Sequence, residues 1–171
     1  MTIRILGLDP GLRHTGWGVI EVAGNRMRVL ADGTVHTDAS RSLAERLACL
    51  FEGLSDVVDQ WTPDEAAVEE TFVNRNPHST LKLGQARGVS LLVPARRGIP
   101  VAEYQPSQVK KAVVGTGAAG KEQVQMMVRT LLPGCTISTA DAADALAVAV
   151  CHAHFRSSSM ALAALAGGKR G

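Results

Sequence analysis

The positions of apolar residues along the chain predict alternating strands and helices. Short apolar runs and alternating polarity indicate strands, whereas apolar residues three and four apart indicate amphipathic helices. The predicted strands are 3–8, 16–22, 26–31, 33–37, 66–69 and 100–104. The predicted helices are 42–61, 79–97, 106–114, 121–132 and 141–155. This order predicts an α/β fold in which helices cover a mixed sheet.

Glycine and proline residues mark where these elements end or weaken. The turn 23–25 contains Gly24 and joins two strands of alternating polarity, which predicts a β-hairpin. We expect Gly84, Gly88 and Pro94 to interrupt the second helix, because glycine and proline disfavour helix interiors.

The composition is that of one globular domain. The chain has 171 residues, of which 46% are hydrophobic and 20% charged, enough for a single core. Residues 1–155 are expected to form this domain, and residues 156–171, rich in Ser, Ala and Gly, a disordered C-terminal tail.

Cysteine content and hydropathy exclude several classes of protein. The three cysteines are not closely spaced, so neither a disulfide framework nor a zinc knuckle is indicated. Charged residues interrupt the first apolar stretch, unlike a signal peptide, and no apolar run reaches membrane-spanning length. We therefore expect a cytoplasmic protein without a membrane partner.

The net charge of +2 hides an uneven distribution. Residues 72–129 contain nine basic and two acidic residues, so this segment carries +7 and the remainder of the chain −5. Such asymmetry suits a protein with one face that meets a polyanion. A solvated helical surface would give the same pattern, and charge alone does not choose between the two.

Four carboxylates stand where the predicted fold would bring them together. Asp9 and Glu69 each close a predicted strand, and Asp141 and Asp144 lie three apart on one face of a helix. Buried carboxylates repel one another unless a cation lies between them. Asp141 alone has a simpler explanation as a helix N-cap. The set favours a divalent metal and phosphate chemistry.

The segment around Glu69 has two alternatives that the sequence leaves open. Along an alternating strand only one of Glu69 and Glu70 faces inward, and the neighbouring apolar residues do not decide which. Phe72 fits either a core position or a platform on which an unpaired base stacks.

Two glycine-containing motifs resemble phosphate-binding loops. Asp9-Pro10-Gly11 fits a metal-binding aspartate, an ordinary turn, or the phosphate loop of actin-like ATPases and sugar kinases. The segment 115–122 nearly matches the Walker A pattern, but Glu122 stands where Ser or Thr should bind magnesium. We favour a glycine-rich loop that presents Lys121 to a phosphate backbone.

Six segments, in order along nearly all of residues 3–155, carry a resemblance to a known family. They are 7–18, 68–72, 81–88, 108–115, 123–132 and 140–149. With them the chain resembles the RuvC Holliday-junction resolvases of the RNase H-like superfamily. The resemblance implies a mixed five-stranded sheet with helices on both faces.

The resemblance also implies site residues, cofactors and partners. The implied catalytic and metal-binding acids are Asp9, Glu69, Asp141 and Asp144, holding two Mg²⁺ or Mn²⁺ ions per active site. The expected DNA-binding residues are Phe72, Arg75, Lys82, Arg87, Lys110, Lys111 and Lys121. The family acts as a homodimer on four-way junctions, nicks two strands symmetrically to leave 5′-phosphate and 3′-hydroxyl ends, and cooperates with a branch-migration helicase complex. The implied location is the bacterial cytoplasm, at the nucleoid.

Three alternatives remain at this stage. An RNase H-like nuclease acting on RNA or on an RNA–DNA hybrid would share the acids. A non-catalytic junction-binding protein would need only the basic segment. An actin-like ATPase or sugar kinase would share the first loop, but it requires two lobes, and 171 residues hold one.

Overall fold

The computed structural model describes residues 1–70, 75–134 and 136–167, with helical side chains described as far as Ser159. The strands within these ranges are β1 (Thr2–Asp9), β2 (His14–Ala23), β3 (Arg26–His36), β4 (Glu65–Glu69) and β5 (Val101–Tyr104). The helices are α1 (Leu43–Trp61), α2 (Pro77–Arg96), α3 (Pro106–Val114), α4 (Lys121–Leu131) and α5 (Ala140–Gly167). Within the described part of the chain, no helix combines the length and apolar character needed to cross a membrane.

The strands form one mixed sheet in the order β3-β2-β1-β4-β5. β1, β2 and β3 are antiparallel neighbours, whereas β4 runs parallel to both β1 and β5. The predicted five-stranded mixed sheet is therefore confirmed. β1 lies at its centre, and the pairing of Leu8 with Val68 brings the ends of β1 and β4 side by side.

Helices cover both faces of the sheet, as expected. Leu6 and Leu8 of β1 belong to a core with α1 and α2, whereas Ile3 and Ile5 belong to a core with α3, α4 and α5. This division follows from the strand geometry, because successive side chains point to opposite faces. The odd-numbered positions of β1 therefore face α5.

β3 is one continuous strand, so the prediction of separate strands at 26–31 and 33–37 was wrong. Gly33 looked like a strand boundary, but it lies in the middle of β3, paired with Trp17. A β-carbon at Gly33 would lie 2.7 Å from the Trp17 indole ring. This glycine therefore makes room for a side chain and does not form a turn.

α2 is also continuous, and the predicted interruptions at Gly84, Gly88 and Pro94 are absent from the described helix. Added β-carbons at the two glycines would meet no atom within 4 Å, and Pro94 lies in the last turn. The helix begins at Pro77, two residues before the predicted start, because the Asn76 side chain accepts hydrogen bonds from backbone N–H groups of the first turn.

α5 extends beyond the predicted end at Phe155 and continues to Gly167. The extension is rich in alanine and leucine, which favour helices. The predicted disorder of 156–171 therefore does not describe 156–167, and residues 168–171 lie outside the described part of the chain.

Candidate active site

Strand alternation decides which of the two neighbouring glutamates faces the acids on α5. Ala66 and Val68 are buried against α1 and α2, whereas Ala67 is buried against α5. Glu69 has the same parity as Ala67 and therefore lies on the α5 face, next to Asp9 of β1. Glu70 has the opposite parity. The structure thus favours Glu69 over Glu70 as the member of the acidic cluster.

Glycines in β1 and β2 allow α5 to approach the sheet closely. A β-carbon at Gly7 would overlap the carbonyl oxygen of Ala145 and lie 2.7 Å from the backbone nitrogen of Ala149. A β-carbon at Gly16 would overlap the carbonyl oxygen of Asp141. Because Gly16 pairs with Asp9, this contact places the first turn of α5 directly over the end of β1.

The close approach assembles the predicted carboxylates. One oxygen each from Asp9, Asp141 and Asp144 lies within 4.8 Å of the other two. Glu69 joins them through a hydrogen bond between its carboxyl group and that of Asp9. The structure therefore brings all four acids to one end of the sheet.

The crowding of these acids changes their proton affinity. Burial, followed by the charges of Glu69 and Asp144, raises the pKa of Asp9 to about 8. Burial also raises the pKa of Glu69, against the hydrogen bond from Asp9 and the positive charge of nearby Lys110. Without a cation, Asp9 therefore keeps its proton up to about neutral pH.

Two lysines border the cluster on the side of α3 and α4. The Lys121 ammonium lies 2.8 Å from an Asp144 carboxylate oxygen, while 64% of the Lys121 side chain remains exposed. The hydrogen bond to Asp144 and its charge raise the pKa of Lys121. Lys110 lines, with Glu69 and Lys121, a cavity of about 220 Å³. Acids that can bind cations and lysines that can bind phosphate thus share one opening.

The remaining predicted DNA-binding residues are spread over α2 and α3. Arg75 precedes α2 and is exposed, and Lys111 is exposed on α3. Lys82 is half-buried on α2. The Arg87 guanidinium is paired with Glu103, so its charge is already partly neutralised. Phe72 lies outside the described residues.

The glycine-rich segment 115–122 does not have the surroundings of a nucleotide-binding loop. It follows α3 instead of a strand, and Gly115 ends that helix with a φ of 92°. Lys121, the first residue of α4, contacts Asp144. The structure places Lys121 beside the acids, and its contact with a phosphate backbone stays a prediction.

A second polar network, which sequence reasoning did not identify, lies further along α5. The two carboxylate oxygens of Glu65 are 2.8 Å from His152 Nε2 and 2.8 Å from Arg156 Nε. The Tyr104 hydroxyl lies 2.8 Å from His152 Nδ1. Glu65 gave no signal because it looks like an ordinary polar residue at a strand start.

The donor set of the cluster fits a hard divalent cation. All the candidate ligands are carboxylate oxygens, which suit Mg²⁺ and Mn²⁺ better than zinc. Burial first, and then the negative charges of Glu69, Asp144 and Asp141, raise the pKa of Asp9, so like charges face one another in the cluster. A bound cation would relieve this repulsion.

The sheet order, the helices on both faces and the acids at the end of the central strand define an RNase H-like nuclease. A sequence model of the family described as crossover junction endodeoxyribonuclease RuvC matches residues 5–152. The chain therefore belongs to the crossover junction endodeoxyribonuclease RuvC family.

Individual relatives are similar over nearly the whole chain. The crossover junction endodeoxyribonuclease RuvC of Rhodospirillum rubrum is 67% identical over 169 residues, covering 98% of this chain and 100% of the relative. That of Paramagnetospirillum magneticum is 66% identical over 161 residues, covering 94% and 97%. The solved structure of T. thermophilus RuvC in complex with Holliday junction substrate has a TM-score of 0.85 and 34% identity, covering 92% of this chain and 96% of that one.

Proposed function

We propose that this protein is a metal-dependent endodeoxyribonuclease that resolves four-way (Holliday) DNA junctions by paired nicking. The observation that carries the proposal is the meeting of Asp9, Asp141 and Asp144 within 4.8 Å at the end of the central strand. Membership of the RuvC family and the likeness to a relative bound to a Holliday junction supply the substrate class.

Asp9, Glu69, Asp141 and Asp144 would hold two Mg²⁺ or Mn²⁺ ions. When bound, such ions lower the pKa of the attacking water and stabilise the leaving 3′ oxygen, which yields 5′-phosphate and 3′-hydroxyl ends. Asp9 would be the ligand shared by the whole set, because it interacts with Glu69 and lies close to Asp141 and Asp144 of α5.

The lysines supply the complementary charge. The Lys121 ammonium contacts Asp144 yet remains largely exposed, so it can interact with a phosphate that enters the opening. There it would stabilise negative charge that develops on the scissile phosphate. Lys110, half-buried beside Glu69, would anchor the same strand from the α3 side.

Selectivity for a branched substrate requires two active sites. We propose a homodimer in which the two centres, at a fixed separation, engage two strands at once, a geometry that linear duplex does not offer. Cooperation with a branch-migration helicase complex and work at the nucleoid in the bacterial cytoplasm belong to the same proposal.

A cleavage assay with a synthetic four-way junction tests the proposed activity. Each strand is labelled in turn and incubated with protein in Mg²⁺, in Mn²⁺ and in EDTA. We expect symmetric nicks in two strands of like polarity with either ion and none in EDTA. A linear duplex of the same sequence is the control and should remain intact.

The same assay separates the alternatives. If the protein cleaves an RNA–DNA hybrid and leaves the four-way junction uncut, the result would favour an RNase H-like enzyme that acts on RNA. Tight junction binding without cleavage in either ion would favour a non-catalytic junction-binding protein. The acidic cluster argues against the second alternative, because binding DNA alone would not require buried acids that repel the phosphate backbone.

A further inference from the structure

The polar network around Glu65 occupies the far end of the same helix and strand that carry the acids. Glu65 and Glu69 are the two ends of β4 and share its α5 face. On α5, Asp144 lies near Glu69. Two turns or more further along the helix, His152 and Arg156 are hydrogen-bonded to Glu65. The helix therefore lies beside the strand at two points, the two ends of β4, and hydrogen bonds and ion pairs hold it at the Glu65 end.

The spacing of these two points matches between helix and strand. Four residues of a strand, from Glu65 to Glu69, span about 13 Å. Eight residues of a helix, from Asp144 to His152, span about 12 Å. Because the two lengths agree, the contact of His152 with Glu65 at one end determines where Asp144 lies relative to Glu69 at the other end.

The interface between the two points is made of small side chains. At the closest approach to β1, Ala145 and Ala149 of α5 lie over Gly7, where no side chain projects from the sheet. Small groups form shallow ridges, so apolar packing there opposes sliding of the helix only weakly. A directional polar contact specifies such a position better, because hydrogen bonds are lost within a fraction of an ångström.

The network at Glu65 has the properties of such a contact. Its members are mostly buried: 22% of the Glu65 side chain, 13% of His152 and 26% of Arg156 are exposed. The His152 imidazole lies between two partners, with Nε2 2.8 Å from a Glu65 carboxylate oxygen and Nδ1 2.8 Å from the Tyr104 hydroxyl. Every polar atom of the imidazole is then satisfied by β4 and β5.

The charges in the network agree with this arrangement. Burial alone would raise the pKa of Glu65, but hydrogen bonds from Arg156 and His152 outweigh it, and the pKa is lowered. Burial raises the pKa of Tyr104 to about 12, so its hydroxyl keeps its proton at neutral pH.

We propose that Glu65 is a positioning residue that, through His152 and Arg156, sets the axial position of α5 and thereby the spacing between Asp9 and the acids Asp141 and Asp144. The inference rests on the proposed function, because it concerns the same metal site. Glu65 lies at the opposite end of β4 from Glu69 and would not contact the ions itself.

Titration of the protein with Mn²⁺, without DNA, tests the inference. We expect Glu65→Ala to weaken Mn²⁺ binding about tenfold, because misplaced ligands lose affinity of this order when their supporting partners are removed. Glu65→Gln, which keeps the shape and one acceptor, is used if the alanine variant does not fold, with a smaller loss expected. Val93→Ala, in the α1 and α2 core on the opposite face, is the control for lost stability. It should lower Tm and leave Mn²⁺ affinity within twofold of the wild type.

Three outcomes would overturn the inference. The first is unchanged Mn²⁺ affinity in the Glu65 variants. The second is an equal loss of affinity in Val93→Ala at the same reduction in Tm. The third is additive effects of Glu65→Ala and His152→Ala on Mn²⁺ affinity, since residues that act through one contact should not be additive. A wild-type protein that does not bind Mn²⁺ would instead refute the proposed metal site itself.

Discussion

The two faces of the sheet are built from different kinds of residue. On the α1 and α2 face, large aliphatic side chains such as Leu6, Leu8 and Leu54 are completely or almost completely buried. On the other face, where α5 crosses β1 and β2, the closest contacts involve Gly7 and Gly16. Both faces stabilise the fold by burying apolar area. The α5 face also gives up side-chain volume at Gly7 and Gly16, so that a helix can bring carboxylates to the end of β1.

The α1 and α2 face therefore contributes only to the stability of the fold, whereas the α5 face also carries the acids of the site. A change on the α1 and α2 face should act on the free energy of unfolding and leave the ligand spacing intact. A change on the α5 face should act on both. The predictions below test this separation, beginning with the largest expected effect.

Removing one charge from the acidic cluster should abolish cleavage without preventing DNA binding. We expect Asp9→Asn to lower the rate of junction cleavage by about 10³-fold or more, a loss of several kcal/mol of transition-state stabilisation. Junction affinity, measured by gel shift in EDTA, should be retained because the lysines are unchanged. Asp56→Asn on the exposed side of α1 is the matched control and should cleave normally. Loss of both binding and cleavage in Asp9→Asn would contradict a purely catalytic role.

Adding one methyl group at the closest helix–sheet contact should weaken both stability and metal binding. Gly7→Ala would force α5 away from β1, because the new β-carbon would overlap the Ala145 carbonyl. We expect a loss of about 1–3 kcal/mol, as for other overpacked sites, together with weaker Mn²⁺ binding. Denaturant unfolding and Mn²⁺ titration measure the two effects.

Two control variants show whether the effect of Gly7→Ala is specific to the α5 face. Leu54→Ala on the opposite face should cost about 2–5 kcal/mol and leave Mn²⁺ affinity unchanged. Gly88→Ala inside α2, where an added β-carbon meets no atom within 4 Å, should stabilise the protein by about 0.5–1 kcal/mol. Equal Mn²⁺ affinities in Gly7→Ala and Leu54→Ala would remove the distinction between the faces.

The metal-free protein should lose stability as the pH rises. The pKa of Asp9 is raised from 3.8 to about 8 in the folded protein, so between these pH values the folded state binds a proton that the unfolded state has released. Stability in EDTA therefore falls across this window, by up to about 6 kcal/mol for the full shift, since each pKa unit corresponds to about 1.4 kcal/mol. Asp9→Asn should flatten the profile and have a higher Tm than the wild type at pH 8. A wild-type stability that increases from pH 5 to pH 8 would contradict the assigned shift.

The smallest expected effect concerns a single phosphate contact. Junction binding should weaken steeply with salt, because several lysines and arginines displace counterions from the DNA. Lys121→Ala should weaken binding severalfold and reduce the salt slope by about 1. Lys111→Ala, on the exposed surface of α3, provides a comparison further from the acids. An affinity that does not depend on salt would refute electrostatic binding by the basic segment.

Much of the fold followed from the sequence because its periodicities are clear. Alternating polarity located the β2–β3 hairpin, and helical spacing located α1 within one residue of its observed start. Gly33 and Gly88 misled the assignment because glycine has several structural uses. Gly33 makes room for Trp17 within a strand, and Gly88 lies in a helix that neighbouring residues maintain. Local sequence does not distinguish these uses from a turn.

The four acids of the site could be predicted from their spacing and from the family resemblance. The residues that hold α5 in place beside them could not. The resemblance implied Glu69, but the residues alone left Glu69 and Glu70 open, because that choice depends on which face holds α5. The contact between Glu65 and His152 joins residues 87 positions apart, and neither residue stands in a recognisable motif. Such pairs become visible only when the register of a helix on a sheet is known.

The central place of β1 has a mechanical consequence. Both edges of this strand are hydrogen-bonded, to β2 and to β4, so Asp9 cannot shift without breaking a ladder. Lys121, by contrast, follows a segment containing Gly115, Gly117 and Gly120, whose backbone is intrinsically less restricted. Asp9, which we propose as a metal ligand, therefore has a fixed position before DNA binds. Lys121, which we propose as a phosphate contact, can adjust to a branched molecule whose arms change direction.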